Sequence, residues 1–508
     1  MRAAALVALA VLGCVAPALA ADRSLGADVP KPAATGVPWT DAEIAALDAS
    51  VDLALAGAAT LRGAHVGIVA VDARDGRVLY QRNADDAFQP ASTLKLLVGS
   101  AALDKLGPGF RFRTVALAGG PVVEDTLQGA LVLRGSGDVL LDDAALAELP
   151  AALRGAGIAA VHGVAFDEPA DLPPYLPGWS WDDLPWYYAA PVTRLGLNDN
   201  QVTLLISPGA APGAPLAVVV HPWGSVCSAL APACVSDLGF RIVVAATTGA
   251  AGSPNTLDVM RPAYPGGDEV RLVGSLAAGA TPDSFSIAVP QPPAYAAAAA
   301  GRALRAAGIR VLAPLTAVPP GLAGTERVLW SHDSVPLRDL LADMWLPSDN
   351  LLAEELLRAL GATPPAVQGS SADGIAFEKT WLTGLGGDTG APALSDGSGL
   401  SVYDRVTPRA LVVVLKHDWD GPHRNVVLDA LPIAGVRGTL KSSFAGTPAE
   451  KHVFAKTGSV SHVSALAGYI SNAKHGAVIF AFQVDDWVGS ASDLREVRGR
   501  VLSHFVER

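Results

Sequence analysis

The sequence predicts an α+β protein whose main domain is discontinuous: an antiparallel sheet with helices, interrupted by mostly-β inserted domains. Three observations carry this prediction. Helix and strand patterns alternate at both ends of the chain, a long middle stretch has short β-like runs with Pro and Gly breaks, and motifs of Ser, Lys and Asn lie on both sides of that stretch. The 508 residues suffice for two or three domains.

Composition excludes several classes of function. Half of the residues are hydrophobic and 17% are charged, which allows large cores and argues against disorder. The formal net charge of -12 argues on electrostatic grounds against a nucleic-acid partner. The ten histidines show no His-Glu-x-x-His spacing and the chain has no Gly-x-x-x-x-Gly-Lys loop, so we expect neither a metal nor another cofactor.

The N-terminus predicts a signal peptide over residues 1–20. Residues 3–13 are apolar but too few to span a bilayer, and residues 18–20 form a small-residue cleavage site. We therefore expect a periplasmic or otherwise exported protein, with no transmembrane segment after this leader. A lipid anchor on Cys14 is the alternative, and intact-mass measurement of the exported form distinguishes the two.

Residues 21–40 are rich in Pro, Ala and Gly and predict a flexible leader, and residues 41–118 form the first part of the catalytic domain. A helix is expected over 41–56, followed by strands over 66–71 and 78–81 that the Asp75-Gly76 turn joins into a hairpin.

A buried helix is expected after Pro90. Its positions from Leu94 to Leu106 are apolar almost all round, which is typical of a helix enclosed by other elements. Gly107 and Pro108 then predict its end.

Residues 119–320 predict the inserted domains. They contain β-like runs at 130–133, 216–220 and 241–245, and one Ala-rich helix over 295–307. Cys227 and Cys234, an even pair in an exported chain, favour a disulfide, with two buried thiols as the alternative. Reduction that changed neither mobility nor the count of free thiols would exclude the disulfide.

Residues 321–508 return to the texture of the first part. The expected elements are a helix capped by Ser334 and ending near Leu346, a helix over 351–360, strands over 464–470 and 477–484, and a C-terminal helix. Pairing of the two strands with the hairpin at 66–81 would build the catalytic domain from both ends of the chain.

The first motif that carries chemistry is Ser92-Thr93-Leu94-Lys95. Residues at i and i+3 share a helix face, so the lysine amine lies about one turn from the serine. A lysine whose pKa is lowered by burial can take the proton of a serine hydroxyl and make it a nucleophile. An ordinary helix-capping serine is the alternative. The same spacing at Ser471 and Lys474 falls in a predicted hairpin turn and lacks the buried helix.

The second motif, Ser348-Asp349-Asn350, lies between two predicted helices. Its hydroxyl can relay a proton to a leaving amine, and its Asn side chain can hold the lysine and a substrate carbonyl. The third motif, Lys456-Thr457-Gly458-Ser459, lies just before a predicted strand. Its lysine and hydroxyls can hold a carboxylate, its glycine lets a substrate lie along the strand edge, and the Ser459 N–H can stabilise an oxyanion. Each motif alone is compatible with a simple cap or turn.

Together and in this order, the three motifs match the set found in penicillin-binding proteins and class A β-lactamases. From about Val66 to the C-terminus the chain resembles the D-alanyl-D-alanine carboxypeptidase/endopeptidase family, the class C low-molecular-mass penicillin-binding proteins. The stretches that carry the resemblance are 90–97, 188–192, 197–200, 348–354, 396–401 and 455–459. One departure is Val139, where the family often has Pro. The resemblance implies a penicillin-binding (β-lactamase/transpeptidase-like) catalytic domain.

The resemblance also implies roles. Ser92 would form the acyl-enzyme with Lys95 as base, Ser348 and Asn350 would complete proton transfer, and Lys456 with Thr457 would bind the substrate carboxylate. The implied substrates are peptidoglycan stem peptides, from which the enzyme removes a terminal D-Ala or cuts D-Ala–diaminopimelate cross-links. The implied inhibitors are β-lactams, which acylate the same serine.

A weaker hypothesis concerns Asp183, in an aromatic–acidic stretch of the insert. Its carboxylate could receive the free amine of a diamino-acid stem peptide, or it could be an exposed loop residue. Two other functions stay open: a β-lactamase-like hydrolase, which rapid turnover of penicillin would reveal, and a non-catalytic peptidoglycan-binding scaffold, which would form no covalent adduct with penicillin.

Overall fold

The computed structural model describes residues 29–169, 172–222, 224–227, 234–235, 239–261, 267–313, 316–317, 327–363, 368–387 and 392–508. The predicted signal peptide and the alternative lipid anchor at Cys14 lie outside these residues. Cys227 and Cys234 belong to described strands, but their side chains lie outside the described part, so their disulfide stays a prediction.

The first part of the chain forms the expected helix, hairpin and buried helix. Its elements are α1 (Asp41–Ala56), β1 (His65–Asp72), β2 (Val78–Arg82) and α2 (Lys95–Leu106). Gly76 turns the chain between β1 and β2 with φ +75°, and Gly107 ends α2 with φ +78°, which are left-handed conformations that glycine adopts without a steric penalty. The predictions for these elements are confirmed.

The middle of the chain is mostly β. Its elements are β3 (Arg113–Ala118), β4 (Val122–Val123), β5 (Thr126–Arg134), α3 (Asp143–Leu146), α4 (Leu149–Gly155), β6 (Ala160–Phe166), β7 (Gln201–Ser207), β8 (Ala217–His221), β9 (Ser225–Cys227), β10 (Cys234–Val235), β11 (Arg241–Val244), β12 (Thr247–Gly249), β13 (Asp258–Met260), β14 (Glu269–Val273), β15 (Ser275–Ala277), β16 (Asp283–Ala288), α5 (Pro292–Ala306), β17 (Arg310–Val311), β18 (Thr316–Ala317) and β19 (Val328–Asp333).

These middle strands form separate sheets in the described residues. The largest has the order β17-β6-β5-β3-β19, with β18 on β6 and β4 on β5. It includes β3 and β19, which lie on either side of the 119–320 boundaries expected for the insert. The others have the orders β16-β7-β8-β9, β10-β11-β14-β13 and β12-β15.

The C-terminal part completes the catalytic sheet. Its elements are α6 (Leu337–Trp345), α7 (Asn350–Leu360), α8 (Ser371–Gly384), α9 (Pro408–Asp420), α10 (Arg424–Ala430), β20 (Val453–Val460), β21 (Val463–Asn472), β22 (Gly476–Asp485) and α11 (Ala491–Glu507). The sheet order is β2-β1-β22-β21-β20, and all pairs are antiparallel. Pairing of the terminal strands with the N-terminal hairpin is therefore confirmed.

The catalytic sheet separates two cores. Because side chains alternate along a strand, Val69 and Val71 of β1 pack into the core that contains α2, α6, α7 and α9, whereas Ile68 and Ala70 face α1 and α11. The strands are thus buried on both faces, which explains the almost unbroken apolar runs of β21 and β22. Among the described helices, none combines the length and apolar character needed to cross a bilayer.

Two local expectations differ from the structure. Residues 29–40 are not a free leader: Lys31 pairs with Asp429 at 2.5 Å, and buried Trp39 stacks on His475 with ring centroids 3.8 Å apart. Ser334 does not cap α6, whose N-cap is Pro336. Instead its hydroxyl accepts the Phe112 N–H at 3.0 Å, because it lies two residues too early in the chain to reach the helix.

Candidate active site

Ser92 lies in a 3₁₀ turn, Ala91–Leu94, that leads directly into α2. Ala91 has φ +44°, an uncommon value for a residue with a side chain. Two backbones hold this turn in place: a Cβ added to Gly458 would lie 2.9 Å from the Ser92 nitrogen, and one added to Gly399 would overlap the Ala91 carbonyl. The serine itself stays partly exposed and is accessible to a substrate.

Lys95 is fully buried and its amine has three partners. Nζ donates to Ser92 Oγ (2.8 Å), to Asn350 Oδ1 (2.6 Å) and to the Ser398 carbonyl (2.7 Å). The amide of Asn350 is oriented by its Nδ2, which donates to the Tyr188 carbonyl at 2.7 Å.

These partners direct the lone pair of a neutral Lys95. A neutral amine has two hydrogens and one lone pair, and two of its partners, the amide oxygen and the Ser398 carbonyl, can only accept. The two hydrogens therefore go to those oxygens, and the lone pair faces the Ser92 hydroxyl, the one partner that can donate. The arrangement suits transfer of the Ser92 proton to Lys95.

The pKa of Lys95 is lowered to about 8, mainly because burial disfavours the charged amine. The negative charges of Asp396, Glu354 and Asp349 oppose this shift. A base with a pKa near 8 has a substantial neutral fraction at neutral to mildly alkaline pH, which general-base catalysis requires.

Ser348 occupies the turn before α7 with φ +70°, a left-handed conformation that is strained for serine. Asp349 follows as the N-cap of α7, with its side chain accepting the Leu352 N–H at 2.9 Å. Ser348 Oγ accepts a hydrogen bond from Lys456 Nζ at 2.8 Å, and Asn350 contacts Lys95. The middle motif thus bridges the two lysines.

The sequence predicted that the third motif lies just before a strand. In the structure it lies within strand β20. β20 is the last strand of the sheet, with β21 on one side. On its other side, residues 432–434 pair with residues 453–455, and in the described part of the chain no strand continues this pairing from Lys456 onward. Lys456 is fully buried and donates to Ser348 and to the Thr457 carbonyl (2.7 Å). Burial, and then the charge of Lys95, lower its pKa well below the usual range.

A cleft of about 450 Å³ joins these residues. Ser92, Ser348, Thr457 and Ser459 line it, so hydroxyl side chains from all three motifs face one space. Thr457 Oγ1 donates to Thr439 Oγ1 at 2.7 Å on the cleft wall. The free edge of β20 therefore borders a cleft where an extended peptide can lie beside Ser92.

The sequence did not reveal the residues that hold the Ser398 carbonyl against Lys95. Glu354 on α7 accepts the N–H groups of Gly397 and Ser398 at 2.8–3.1 Å. Asp396 accepts those of Gly399 and Ser401, each at 2.7 Å. A signal for them was present in the sequence: α7 is an apolar, buried helix, yet it contains two charged residues, Glu354 and Glu355, which are both buried.

Asp183 lies outside the cleft lining and is linked to the second motif through Tyr188. Its Oδ1 accepts the Tyr188 hydroxyl at 2.9 Å, and the Tyr188 carbonyl in turn accepts the Asn350 amide. The second Ser-x-x-Lys spacing, at Ser471 and Lys474, is not part of this site. Ser471 is in β21, and Lys474 forms an ion pair with Glu43.

Comparison with known proteins agrees with this geometry. Residues 47–503 match the profile of the D-Ala-D-Ala carboxypeptidase 3 (S13) family. A D-alanyl-D-alanine carboxypeptidase of Actinomadura sp. (strain R39) is 34% identical over 425 residues, which cover 81% of this chain and 76% of the relative. The D-alanyl-D-alanine carboxypeptidase DacB of Haemophilus influenzae is 29% identical over 425 residues, 82% of this chain and 85% of the relative.

The fold has a counterpart among solved structures. The crystal structure of penicillin-binding protein 4 from Haemophilus influenzae superposes with a TM-score of 0.77 at 26% identity, covering 91% of this chain and 99% of that one. A second crystal structure of that protein contains a β-lactam and gives a TM-score of 0.72. The predicted α+β fold of the penicillin-binding type is confirmed.

Proposed function

Because the chain belongs to the D-Ala-D-Ala carboxypeptidase 3 (S13) family, we propose that it is a serine DD-peptidase that cleaves D-alanyl peptides of bacterial peptidoglycan through an acyl-enzyme on Ser92. The observation that best supports Ser92 is the Lys95 amine, buried at 2.8 Å from its hydroxyl and oriented by two obligate acceptors.

Acylation then proceeds by the following exchange of atoms. Ser92 Oγ attacks the carbonyl carbon of the penultimate D-Ala and its proton passes to Lys95 Nζ. The N–H groups of Ser92 and Ser459 stabilise the oxyanion. The C–N bond breaks, the Ser348 hydroxyl passes a proton to the leaving amine, and Ser348 is reprotonated from a lysine amine. Water later attacks the ester, returning Ser92 to its hydroxyl form and releasing the shortened stem peptide.

The carboxylate of the leaving residue is held at β20. Lys456 and Thr457 offer an amine and a hydroxyl near Ser92, and Gly458 leaves room for the peptide backbone. A carboxylate at this position restores a negative charge that buried Lys456 otherwise lacks, so its arrival favours the protonated amine.

Asp183 supplies a candidate site for the free amine of a diamino-acid stem peptide. The hydrogen bonds of Tyr188 support this role. Its hydroxyl donates to Asp183 and its carbonyl accepts the Asn350 amide, so an amine bound at Asp183 would be connected to the second motif. Asp183→Ala is expected to slow cleavage of amine-bearing substrates relative to amine-blocked ones. Equal slowing of both would contradict the role.

We place the enzyme in the periplasm or another exported compartment, because its substrate is the cell wall and residues 1–20 have the pattern of a signal peptide. The products of digestion distinguish trimming of terminal D-Ala from cutting of D-Ala–diaminopimelate cross-links.

The deciding experiment digests purified cross-linked muropeptides with wild type and Ser92→Ala and identifies the products by mass. We expect shortened or uncrosslinked products from the wild type alone, and a covalent penicillin adduct on Ser92. Products that persist in Ser92→Ala would overturn the nucleophile. Rapid penicillin turnover would indicate a β-lactamase, and absence of any adduct would indicate a scaffold.

A further inference from the structure

A turn of the insert, residues 197–200, is built around three consecutive left-handed residues. Asn198, Asp199 and Asn200 have φ of +51°, +57° and +49°. Asn and Asp tolerate this conformation better than other non-glycine residues, but three in succession require the surroundings to hold them there. The backbone N–H groups of Asn198 and Asp199 donate to the Leu141 and Val139 carbonyls at 2.7 and 2.8 Å.

The two asparagines of this turn serve the insert. Asn198 Nδ2 donates to Asp143 and to the Tyr295 hydroxyl at 2.8 and 3.1 Å. Asn200 Nδ2 donates to the Pro191 carbonyl at 3.0 Å. Asp199, which lies between them, differs: its side chain lines a pocket together with the residues of the second motif.

Asp199 and Asp349, the middle residue of that motif, line the same pocket, and their carboxyl groups are in hydrogen-bonding contact. Asp199 Oδ2 accepts Gln201 Nε2 at 2.8 Å, whereas its Oδ1 is enclosed and receives no N–H or hydroxyl donor. Two carboxyl groups in contact require a proton between them, because both cannot ionise at that separation. Asp349 already accepts the Leu352 N–H, so the proton belongs on Asp199.

The electrostatic surroundings favour the same assignment. Burial raises the pKa of Asp199, and the charge of Asp349 and the hydrogen bond to it raise it further. Burial also raises the pKa of Asp349, but the Leu352 N–H and the positive charge of Lys95 oppose that rise. The neutral acid is thus in the insert and the carboxylate is in the catalytic domain.

Asp349 is the residue through which Ser348 and Asn350 are placed. Ser348 precedes it in a strained conformation and meets Lys456, and Asn350 follows it and meets Lys95. The Asp349 N–H donates to the Met344 carbonyl at 2.8 Å, which holds the backbone on one side. The bond from Asp199 holds the side chain on the other, so a strained turn is held from both sides.

We propose that Asp199 is a positioning residue for the DD-peptidase reaction: as a neutral acid it holds Asp349 and thereby keeps Ser348 and Asn350 against the two lysines. This role rests on the proposed function. It gives the insert a part in catalysis, since one of its side chains supports the second motif. It also makes alkaline pH unfavourable, because ionised Asp199 would repel Asp349.

Other titratable groups face the same space. A pocket of about 560 Å³ contains both aspartates and is lined by further titratable side chains, namely Asp138, Asp142, Tyr187, Tyr188, His332 and Asp343. Burial raises the pKa of Asp138 to about 6 and raises that of Tyr188 well above its usual range. Their titrations therefore lie on either side of the mildly alkaline range. Lys95 titrates near 8, but its loss of a proton raises acylation and so has the opposite sign.

The test uses the full-length enzyme with three substitutions. Asp199→Asn keeps the size and an N–H donor but cannot ionise, whereas Asp199→Ala removes the donor. Asp142→Asn removes a charge from the same pocket and keeps the side-chain oxygen that caps Ala145 N–H at 2.8 Å. The rate of covalent adduct formation with a labelled penicillin is measured between pH 5 and 10, together with the thermal midpoint.

Asp199→Ala should acylate about 10- to 100-fold more slowly at neutral pH, the effect of a misplaced catalytic group, with a thermal midpoint near that of wild type. Asp199→Asn should acylate within about 3-fold of wild type and lose the decline at alkaline pH, and Asp142→Asn should match wild type in both respects.

Asp199→Ala acylating as fast as wild type would overturn the role, as would Asp199→Asn acylating as slowly as Asp199→Ala. If Asp199→Ala unfolds, the pH profile of Asp199→Asn decides: an unchanged alkaline decline overturns the role. A wild type that forms no adduct would remove the proposed function and this role together, whereas an active wild type isolates the outcome for Asp199.

Discussion

Lys95 and Lys456 are both fully buried and each contacts a serine that lines the cleft, but their surroundings differ. Around Lys95, the charges of Asp396, Glu354 and Asp349 counteract burial and leave the pKa at about 8. Around Lys456 no carboxylate of the described residues acts in that way; burial and the charge of Lys95 lower its pKa well below the usual range. The two amines are equally buried but differ in pKa. The neighbouring carboxylates determine which lysine can gain and lose a proton near neutral pH.

The largest expected effect separates the two lysines directly. Lys95→Met and Lys456→Met each replace the amine with an apolar chain of similar length. The first should lower the rate of penicillin acylation by about 10⁴-fold or more, because it removes the proposed base. The second should lower it by about 10- to 100-fold, because it removes hydrogen bonds to a carboxylate and to Ser348. Stopped-flow acylation measures both rates, and equal losses would contradict the division of roles.

The next effect tests how closely strand β20 must approach the turn that carries Ser92. Gly458→Ala adds a Cβ that would lie 2.8 Å from the Pro90 carbonyl oxygen and 2.9 Å from the Ser92 nitrogen, both backbone atoms. We expect about 10- to 100-fold slower acylation and a loss of about 1–3 kcal/mol in the free energy of unfolding.

Gly384→Ala is the matched control, since nothing lies within 4 Å of its added Cβ at the end of α8. It should leave acylation unchanged and stability equal or slightly higher. Urea unfolding followed by circular dichroism measures the stabilities. Normal acylation by Gly458→Ala would show that β20 can move away from Ser92 without cost.

A smaller effect concerns the charge near Lys95. Acylation should rise with pH through about 8, as the base loses its proton. Asp396→Asn removes a negative charge that raises the pKa of Lys95, so the rising limb should shift to lower pH by about one unit. Asp418→Asn, at another buried carboxyl whose pKa burial raises to about 8, should leave the limb in place. A limb that moves upward in Asp396→Asn would refute the electrostatic account.

The smallest effect concerns Lys456. Because burial and the charge of Lys95 lower the pKa of Lys456, binding of a carboxylate-bearing substrate should take up a fraction of a proton at neutral pH. Calorimetric titration of Ser92→Ala with a D-alanyl peptide, repeated in buffers of different ionisation enthalpy, measures this uptake. The same peptide with an amidated C-terminus should show none, and uptake with both peptides would point to another group.

Sequence reasoning was strongest where chemistry depends on near neighbours. The i,i+3 relation of Ser92 and Lys95 and the apolar surroundings of α2 predicted a buried amine at a serine, and the structure places them 2.8 Å apart. The hairpin and its pairing with the last strands also followed from alternation and turn residues. The proposed roles of the three motifs stay predictions that the experiments above address.

Contacts between distant segments were not predictable from local patterns. The grip of Glu354 and Asp396 on the loop at Ser398 depends on packing of α7 against a coil segment, and no periodicity encodes it. Residues 197–200 were recognised as part of a family resemblance, but their left-handed backbone and the reach of Asp199 depend on tertiary hydrogen bonds. Composition alone suggested a flexible leader, whereas aromatic stacking of Trp39 holds it.

The strand order of the catalytic sheet has a consequence for biogenesis. β1 lies between β2, its neighbour in the chain, and β22, which ends at Asp485. β20, the strand of Lys456, joins the sheet only through β21 and β22. A polypeptide that emerges from its N-terminus therefore displays Ser92 long before β20 can pair beside it, and the cleft is complete only once β22 has joined β1. Order of synthesis thus separates the appearance of Ser92 from the completion of the site around it.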